Sequence, residues 1–442
     1  MISCNKGFLD KKPTSNLNVP TTLPDLQLLL DNTTDLQRSP VLGEQSADDY
    51  YMSFSEWNNQ FLLKDANAYV WAKDIFAGSG AIADWNLPYK QVLYTNVVLQ
   101  QLDNISRDAS NSIAYDNIKG TALFIRAWSF FDLAQVFALP YDSNTSGSDL
   151  GIPIRLTADI NAPSTRSTLQ QTYDQIVSDT KQACMLISLK TAQANGNRPS
   201  KSAGYGLMSR IYLTMRDYKQ AGLYADSALS LQPKLIDYNK VDSNATVPFT
   251  LNNDEIIYQS YLATANPTLY VITSQGYSID TILYRSYVKN DLRKKIYFSL
   301  NGTYINRKRG YSGSSVISNG LATDELYLTR AECEARNNDN NKALSDLNAL
   351  LSNRYKNGAF TPITGIQGTA LLNTILSERR KELVLRGLRW NDIRRLNKEG
   401  YNITLTRNLN GQIYTLPPND PRYALPIPPD VLSLSGIQQN NR

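Results

Sequence analysis

Residues 205–233 read YGLMSRIYLTMRDYKQAGLYADSALSLQP, and this stretch decides the fold. Its small and apolar residues recur at steps of three and four, which is the period of an α-helix with one buried face. The first predicted helix carries Met208, Ser209 and Tyr212, and the second carries Ala221, Ala225 and Ala228 before Pro233. Small residues are needed where two helices approach closely, so the stretch predicts a tightly packed helix pair.

A second copy of this pattern lies at residues 327–354. It has Ala331 on its first helix, a turn at 337–341, and Ala343, Leu347 and Leu350 on its second helix. This register is that of a tetratricopeptide repeat, in which each helix pair is buried against the next pair. We therefore predict a mainly α protein with a tetratricopeptide-repeat helical scaffold, whose repeats cover about 85–233 and 322–397.

Helical periodicity also recurs outside these two copies. Thr22 followed by Asp25 has N-cap character and predicts a short helix over about 22–31. Further amphipathic helices are predicted over 89–105, 121–137 and 167–187, and the last opens with a capping box from Ser167 to Gln170.

Three segments lack this periodicity. Residues 1–20 are predicted to be a flexible tether, and residues 21–442 a single domain. Inside that domain, residues 234–320 form a loop-rich insert, and residues 401–442 are predicted to be irregular. Binding residues tend to lie on long loops that a rigid frame supports, so the insert is expected to carry the ligand site.

The 442-residue chain contains no histidine but has 27 tyrosines. Without histidine, Ser-His-Asp and Cys-His catalytic systems and His-ligated zinc are excluded. The net charge of +5 is mild, and basic residues alternate with acids, so nucleic-acid binding is not indicated. We predict a binding protein with no catalytic residues, cofactor or metal. A glycosidase that uses two carboxylates needs no histidine and stays open as an alternative.

The three cysteines lack the spacing of a metal site or a disulfide framework. Cys184 lies on the apolar stripe of a predicted helix and is expected to be a small buried residue, although a bridge to Cys333 stays open. Cys4 differs because Ile2-Ser3 precedes it and a polar stretch follows, as at the end of a bacterial lipoprotein signal. We predict that Cys4 is a lipidation site; the alternative is a chance cysteine near the terminus.

Several motifs, in their order and spacing, resemble those of the SusD/RagB family of the Bacteroidetes. They are FLDKKP at 8–13, WNLPY at 85–89, RAWSFFDL at 126–133, ERRKEL at 378–383 and GLRWNDIRR at 387–395. One departure is Arg386, where the family commonly has Glu, and this puts a local ion pair in doubt. The resemblance implies that Trp85 is a core residue and that Arg389, Trp390 and Asp392 fix the last helix against the repeats.

The resemblance implies a surface-exposed lipoprotein, tethered to the cell outer membrane, that captures a nutrient and delivers it to a SusC-like TonB-dependent transporter barrel. The implied ligand is a glycan, with a peptide as the alternative. A protein scaffold that binds no small ligand remains a third possibility.

The ligand site is predicted where the loop at 65–83 meets the insert at 266–315. The candidate residues are aromatic side chains beside glycines or polar residues: Tyr69, Trp71, Tyr277, Tyr304 and Tyr311. Trp71 is the leading candidate, because a flat ring can cover the C–H face of a sugar while nearby amides bind the hydroxyls of the sugar. We expect Trp71 to be exposed, whereas packing is the alternative for each tyrosine.

Lipidation of Cys4 can be tested by a Cys4→Ala variant that is expressed with a complete signal peptide. This variant should be lost from the membrane fraction, because its only predicted membrane attachment is removed. Cys184→Ala removes a cysteine from a predicted helix and should leave the protein in that fraction. Retention of the Cys4→Ala protein in the outer membrane, in cells without the transporter, would contradict the prediction.

Overall fold

The computed structural model describes residues 20–60, 62–77, 79–192, 197–262 and 274–442. Cys4 and the predicted tether up to residue 19 lie outside these ranges. Helices dominate the described part of the chain: α1 Leu23–Leu30, α2 Thr33–Leu36, α3 Leu42–Ser46, α4 Phe54–Asn58, α5 Leu63–Tyr69, α6 Ala83–Leu102, α7 Ser112–Phe137, α8 Leu169–Leu186, α9 Lys201–Met215, α10 Tyr218–Leu231, α11 Thr281–Ser286, α12 Arg293–Tyr297, α13 Thr323–Arg336, α14 Asn340–Ser352, α15 Gly368–Glu382, α16 Arg389–Asn397 and α17 Pro429–Ser435.

The strands are short and form small separate sheets. They are β1 Arg38–Ser39, β2 Tyr50–Met52, β3 Leu150–Pro153, β4 Arg166–Thr168, β5 Ile256–Tyr258, β6 Tyr261–Leu262, β7 Tyr277–Ile279, β8 Phe298–Asn301, β9 Tyr304–Arg307, β10 Ile317–Ser318, β11 Leu321–Ala322, β12 Leu405–Leu409 and β13 Gln412–Leu416. The mainly α fold class is confirmed.

The longer helices form one continuous stack. Each of α6 to α9 packs against the helix that follows it, and α10 packs against α13. Helix α13 in turn contacts α14 and α15. The two repeat copies therefore lie side by side, although the whole insert separates them in the sequence.

The small residues of the repeats lie where the helices are closest. Ala221, Ala225 and Ala228 are fully buried, and the Ser209 hydroxyl donates to the Ala221 carbonyl at 2.9 Å. A Cβ atom added to Gly222 would lie 3.0 Å from the Cβ of Cys333 on α13, so the two copies meet tightly there. Cys184 and Cys333 are both buried and free, so the bridge left open by the sequence is not formed.

Two helix starts test the capping predictions. Thr22 caps α1 and forms a capping box with Asp25, as predicted. The start of α8 was predicted one residue too early, because Thr168 rather than Ser167 is the N-cap and pairs with Gln171. The Ser167 hydroxyl instead donates to the Ile152 carbonyl and so fastens β4 to β3.

The insert is tied to the N-terminal segment by strand pairing. Strand β6 pairs in parallel with β1 and antiparallel with β10, and β7 pairs antiparallel with β2. Strand β5 pairs with β11, directly before the second repeat. These pairings hold the described part of the insert against residues 38–52 on one side of the helical stack.

The prediction of irregular structure at 401–442 is wrong for part of that segment. Strands β12 and β13 form a hairpin that turns at Asn410-Gly411, where both residues have positive φ angles of 52° and 85°. An Asn-Gly pair favours this two-residue turn because both residues tolerate the left-handed conformation. The signal was therefore present in the sequence, and helix α17 follows near the terminus.

Buried ion pairs join the C-terminal motif to the rest of the chain. Arg395 on α16 binds Glu332 on α13 at 2.6 Å, and Arg379 on α15 binds Asp392 at 2.9 Å. Asp392 thus fixes α16 as predicted. Arg389 instead binds Asp48 at 2.6 Å, so it points to the N-terminal segment rather than to the repeats.

Two tryptophans of the family-like motifs are core residues. Trp85 lies 5.0 Å from the ring of Phe137 in an edge-on contact, so the core prediction is confirmed. Trp390 packs on Tyr423 near the C-terminus and against Gly43, where an added Cβ atom would lie 3.2 Å from its ring. Like Arg389, Trp390 contacts segments outside the repeats. No helix in the described part of the chain is long and apolar enough to cross a membrane.

Glu44 on α3 makes stability depend on pH. The side chain is 2% exposed, and burial next to the negative charge of Asp49 raises its pKa to about 8. An unfolded Glu has a pKa of about 4.3, so folding takes up a proton between these two values. The contribution of Glu44 to stability is therefore greatest below pH ~4 and is lost as the pH rises through the folded pKa.

We expect Glu44→Gln, which mimics the protonated acid, to remove this loss. When the pH is raised from ~5 to ~8, the free energy of unfolding of the wild type should fall, relative to that of Glu44→Gln, by on the order of 2–4 kcal/mol. Urea unfolding at both pH values measures the difference. Glu334→Gln, at a half-exposed position on α13, is the control. Parallel pH profiles for Glu44→Gln and wild type would contradict the assignment.

Candidate ligand-binding site

Four of the five aromatic residues predicted to bind ligand are buried. Trp71 is 2% exposed, and Tyr69, Tyr277 and Tyr311 are likewise buried. The expectation that Trp71 is exposed is therefore wrong, and none of these four rings lies open on the surface. Tyr304 is half-buried at the start of β9, and its role stays a prediction.

Arg407 explains why Tyr69 and Trp71 face inward. This residue lies on β12, and its guanidinium carbon is 4.2 Å from the centre of the Tyr69 ring and 5.0 Å from that of Trp71. The guanidinium also donates to the carbonyl oxygen of Ala47. The indole N–H of Trp71 donates to the Ser46 carbonyl at 2.9 Å. The Tyr69 hydroxyl accepts from the Met52 amide at 2.9 Å. Cation–π contacts and these hydrogen bonds thus make both rings part of the interior.

Tyr277 and Tyr311 belong to different clusters. Tyr277 stacks on Tyr50 at 5.0 Å, and Tyr69 contacts the same ring at 5.6 Å, so the structure brings Tyr69 and Tyr277 together. Tyr311 lies elsewhere, in an edge-on contact with Phe249 at 4.8 Å. The predicted residues therefore do not form one site.

An aromatic surface that sequence reasoning missed lies nearby. Phe54 and Trp57 on α4 have ring centres 5.9 Å apart, and Trp57 is 6.2 Å from Tyr414 on β13. Phe54 is 43% exposed, and the other two rings are half-buried. We call these three residues the aromatic platform.

The sequence contains a signal for this platform. Phe54 and Trp57 are the only apolar residues in SFSEWNNQ at 53–60, and they are three residues apart, on one face of a helical turn. Ser53 caps α4 by accepting from the Glu56 amide. Tyr414 could not be added from local sequence, because it comes from the opposite end of the chain.

Polar groups surround the platform. Asn58 and Asn59 are exposed, and Glu56 is half-buried beside them. The indole N–H of Trp57 donates to the Ala66 carbonyl at 2.9 Å, which fixes the ring without covering it. Gly276 closes one side, where an added Cβ atom would lie 2.8 Å from a carboxylate oxygen of Glu56. Flat rings beside amides and a carboxylate suit the binding of a polyhydroxylated ligand.

The densest carboxylate cluster is not part of this surface. Glu255, Asp324 and Glu382 are buried with oxygen atoms close enough to share a cation. Arg354 already bridges Glu255 and Glu382 at 2.7 Å to each, and Arg386 pairs with Asp324 at 3.3 Å. Arg386, where the family commonly has Glu, thus pairs with a carboxylate, which is not the ion pair that a Glu at this position would make. Guanidinium groups balance the charge that a metal would otherwise balance.

Two family profiles match the chain. A SusD-like profile, described as starch-binding and associating with the outer membrane, matches residues 7–213. A SusD family profile matches residues 136–441, which is more than half of the chain. A comparison with curated proteins finds no match.

Solved structures with the same fold include several from Bacteroides. A SusD superfamily protein from Bacteroides thetaiotaomicron superimposes with a TM-score of 0.78 at 23% identity, over 95% of this chain and 100% of that one. A putative sugar binding protein from Bacteroides vulgatus gives a TM-score of 0.76 at 23% identity, over 96% and 99%. A SusD-like carbohydrate binding protein from the same species gives 0.71 at 20% identity, over 94% and 96%.

At these identities the structures establish a shared fold. The family profiles go further, because the second one covers the repeats, the insert and the C-terminal motifs in a single match. The chain belongs to the SusD/RagB family.

Proposed function

We propose that this protein binds a nutrient at the cell surface, that the nutrient is an oligosaccharide or polysaccharide, and that the aromatic platform contacts it. The observation that carries the proposal is the half-exposed Trp57 ring between Phe54 and Tyr414. A ring fixed by its own hydrogen bond loses little freedom when a sugar stacks on it, which favours binding.

The names of the relatives support a glycan rather than another ligand. One matching family is described as starch-binding, and two structures with the same fold are named as sugar or carbohydrate binding proteins. A peptide could use the same rings for its apolar side chains. Peptide binding is therefore the alternative outcome, and the experiment below includes it.

Binding without catalysis is the second part of the proposal. A glycosidase needs two carboxylates that flank a bound sugar, one of them free to donate a proton. The cluster of Glu255, Asp324 and Glu382 is buried and paired with Arg354 and Arg386 instead. Glu56, next to Trp57 in the sequence, is a carboxylate beside the platform, and no second carboxylate is known to flank it in the described part of the chain.

Location and delivery complete the proposal. We propose a lipid anchor at Cys4, a tether to the described body, and a SusC-like TonB-dependent barrel in the outer membrane as the partner that receives the ligand. Outer-membrane association in the description of the matching family supports this location.

Trp57→Ala should weaken glycan binding by about 1–3 kcal/mol, because it removes the central ring of the platform. The measurement is affinity electrophoresis of residues 20–442 in gels that contain soluble starch or other polysaccharides, with calorimetry on peptides in parallel. Phe360→Ala is the matched control, since Phe360 is a half-buried ring in a separate apolar cluster.

Retardation of wild type and Phe360→Ala, but not of Trp57→Ala, is the expected result. Equal retardation of all three proteins would place the ligand elsewhere. Binding to peptides alone would show that the ligand is a peptide and not a glycan.

Trp71→Ala should behave in the opposite way. Truncation of a buried Trp leaves a cavity and removes the ring over Arg407, at a cost of about 3–5 kcal/mol of stability. Chemical unfolding measures this loss, and any protein that stays folded should still bind glycan. If Trp71→Ala had an unchanged unfolding midpoint but no longer bound glycan, Trp71 would be a ligand-binding residue after all.

A further inference from the structure

A small pocket lies between the insert and the end of α15, and none of the three platform residues lines it. Its wall includes apolar side chains, among them Phe249 and Val384, and four cationic residues: Arg307, Lys308, Arg309 and Arg386. Its volume is about 60 Å³. One water needs about 10–15 Å³ measured in the same way, so the pocket has room for a few waters or one small polyatomic group.

Two guanidinium groups in this pocket have unused donors. The Nε atoms of Arg309 and Arg386 are both buried, and neither has a hydrogen-bond partner in the protein. A buried donor without a partner costs about 1–3 kcal/mol, and more when it is charged. Both atoms belong to residues that line the same small pocket, so one acceptor group could serve both.

Arg386 is held in place but not saturated. It is 7% exposed and lies over the Tyr311 ring at 4.6 Å. Its contacts to Asp324 and to the Gly320 carbonyl are long, at 3.3 and 3.4 Å. Strong charge-assisted hydrogen bonds are shorter, at about 2.7–2.9 Å. The guanidinium therefore keeps the capacity to bind a further anion.

Glu382, the acid in the described part of the wall, does not neutralise Lys308 or Arg309. Glu382 lines the pocket, but Arg354 and Arg293 bind its two carboxylate oxygens at 2.7 and 2.9 Å. Lys308 donates to the Ser243 carbonyl at 2.6 Å, which is a neutral partner. Lys308 and Arg309 thus keep positive charge in this part of the wall, which attracts an anion.

We propose that this pocket binds one small oxyanion, namely a carboxylate, sulfate or phosphate group, that accepts hydrogen bonds from Arg309 and Arg386. Guanidinium groups match the geometry of such anions. The group can arrive as a free ion or as an acidic substituent of a sugar. This second site goes beyond the proposed function, because it does not use the aromatic platform.

The test is isothermal titration calorimetry of the full-length protein with sodium sulfate, sodium phosphate and sodium glucuronate, at ionic strength held constant with sodium chloride. Methyl glucoside is the neutral control ligand. Wild type should bind at least one of the anions at a single site. Arg309→Gln should lower that affinity about tenfold or more, the effect of losing a hydrogen bond from a charged donor.

Arg285→Gln is the matched protein control, because it removes the same charge from an exposed position outside the pocket, and it should bind like the wild type. Arg309 is preferred over Arg386 as the test position because, among the described residues, its side chain forms no ion pair, whereas Arg386 is paired with Asp324. Melting curves of both variants check that they are folded.

Binding of free sulfate or phosphate supports a site for the ion itself, and binding of glucuronate alone supports a sugar-borne group. Wild-type protein that binds none of the anions overturns the proposal, and so does equal loss of affinity in Arg309→Gln and Arg285→Gln. Trp57→Ala should keep its anion affinity, so failure of this site and failure of the platform give different results.

Discussion

The structure depends on the need to pair charges that are buried together. Arg293, Arg354 and Arg395 are almost fully buried, and each is bound by carboxylates from other segments of the chain. A buried charge that loses its partner costs about 3–5 kcal/mol. Any arrangement that separates the insert, the second repeat and helix α15 leaves several such charges unpaired. The ERRKEL and GLRWNDIRR motifs therefore hold distant parts of the sequence together through buried ion pairs.

These ion pairs make it possible to build a binding surface from separate ends of the chain. Arg389 holds the N-terminal segment through Asp48, and Arg407 of the C-terminal hairpin reaches into the rings beside it. The same hairpin brings Tyr414 against Trp57. The platform is thus a product of long-range packing, and its geometry requires the rigid frame behind it. The proposed oxyanion pocket has a similar origin, because one of its two key arginines comes from the insert and the other follows α15.

The sequence predicted features that are set by local spacing. Ala221 and Ala225 marked the first repeat because helix contacts need small residues at fixed intervals, and Thr22 with Asp25 marked a helix start. Exposure of aromatic rings could not be predicted in this way. Trp71 lies beside a glycine-rich stretch that is typical of a loop, yet Arg407 buries it from more than three hundred residues away. Phe54 and Trp57 have a local signal in their three-residue spacing, but Tyr414, which contacts Trp57, could not be identified from it because Tyr414 lies on a hairpin at the other end of the chain.

The central claim is that the protein captures a glycan and leaves it intact. The most direct measurement is to apply residues 20–442 to an array of glycans and peptides, and then to determine the mass of each retained ligand after elution. The account predicts retention of one or more glycans, recovered without change in mass. Recovery of cleaved glycan would show an enzyme, and absence of binding to every glycan and peptide would favour a protein scaffold; either result would contradict the account.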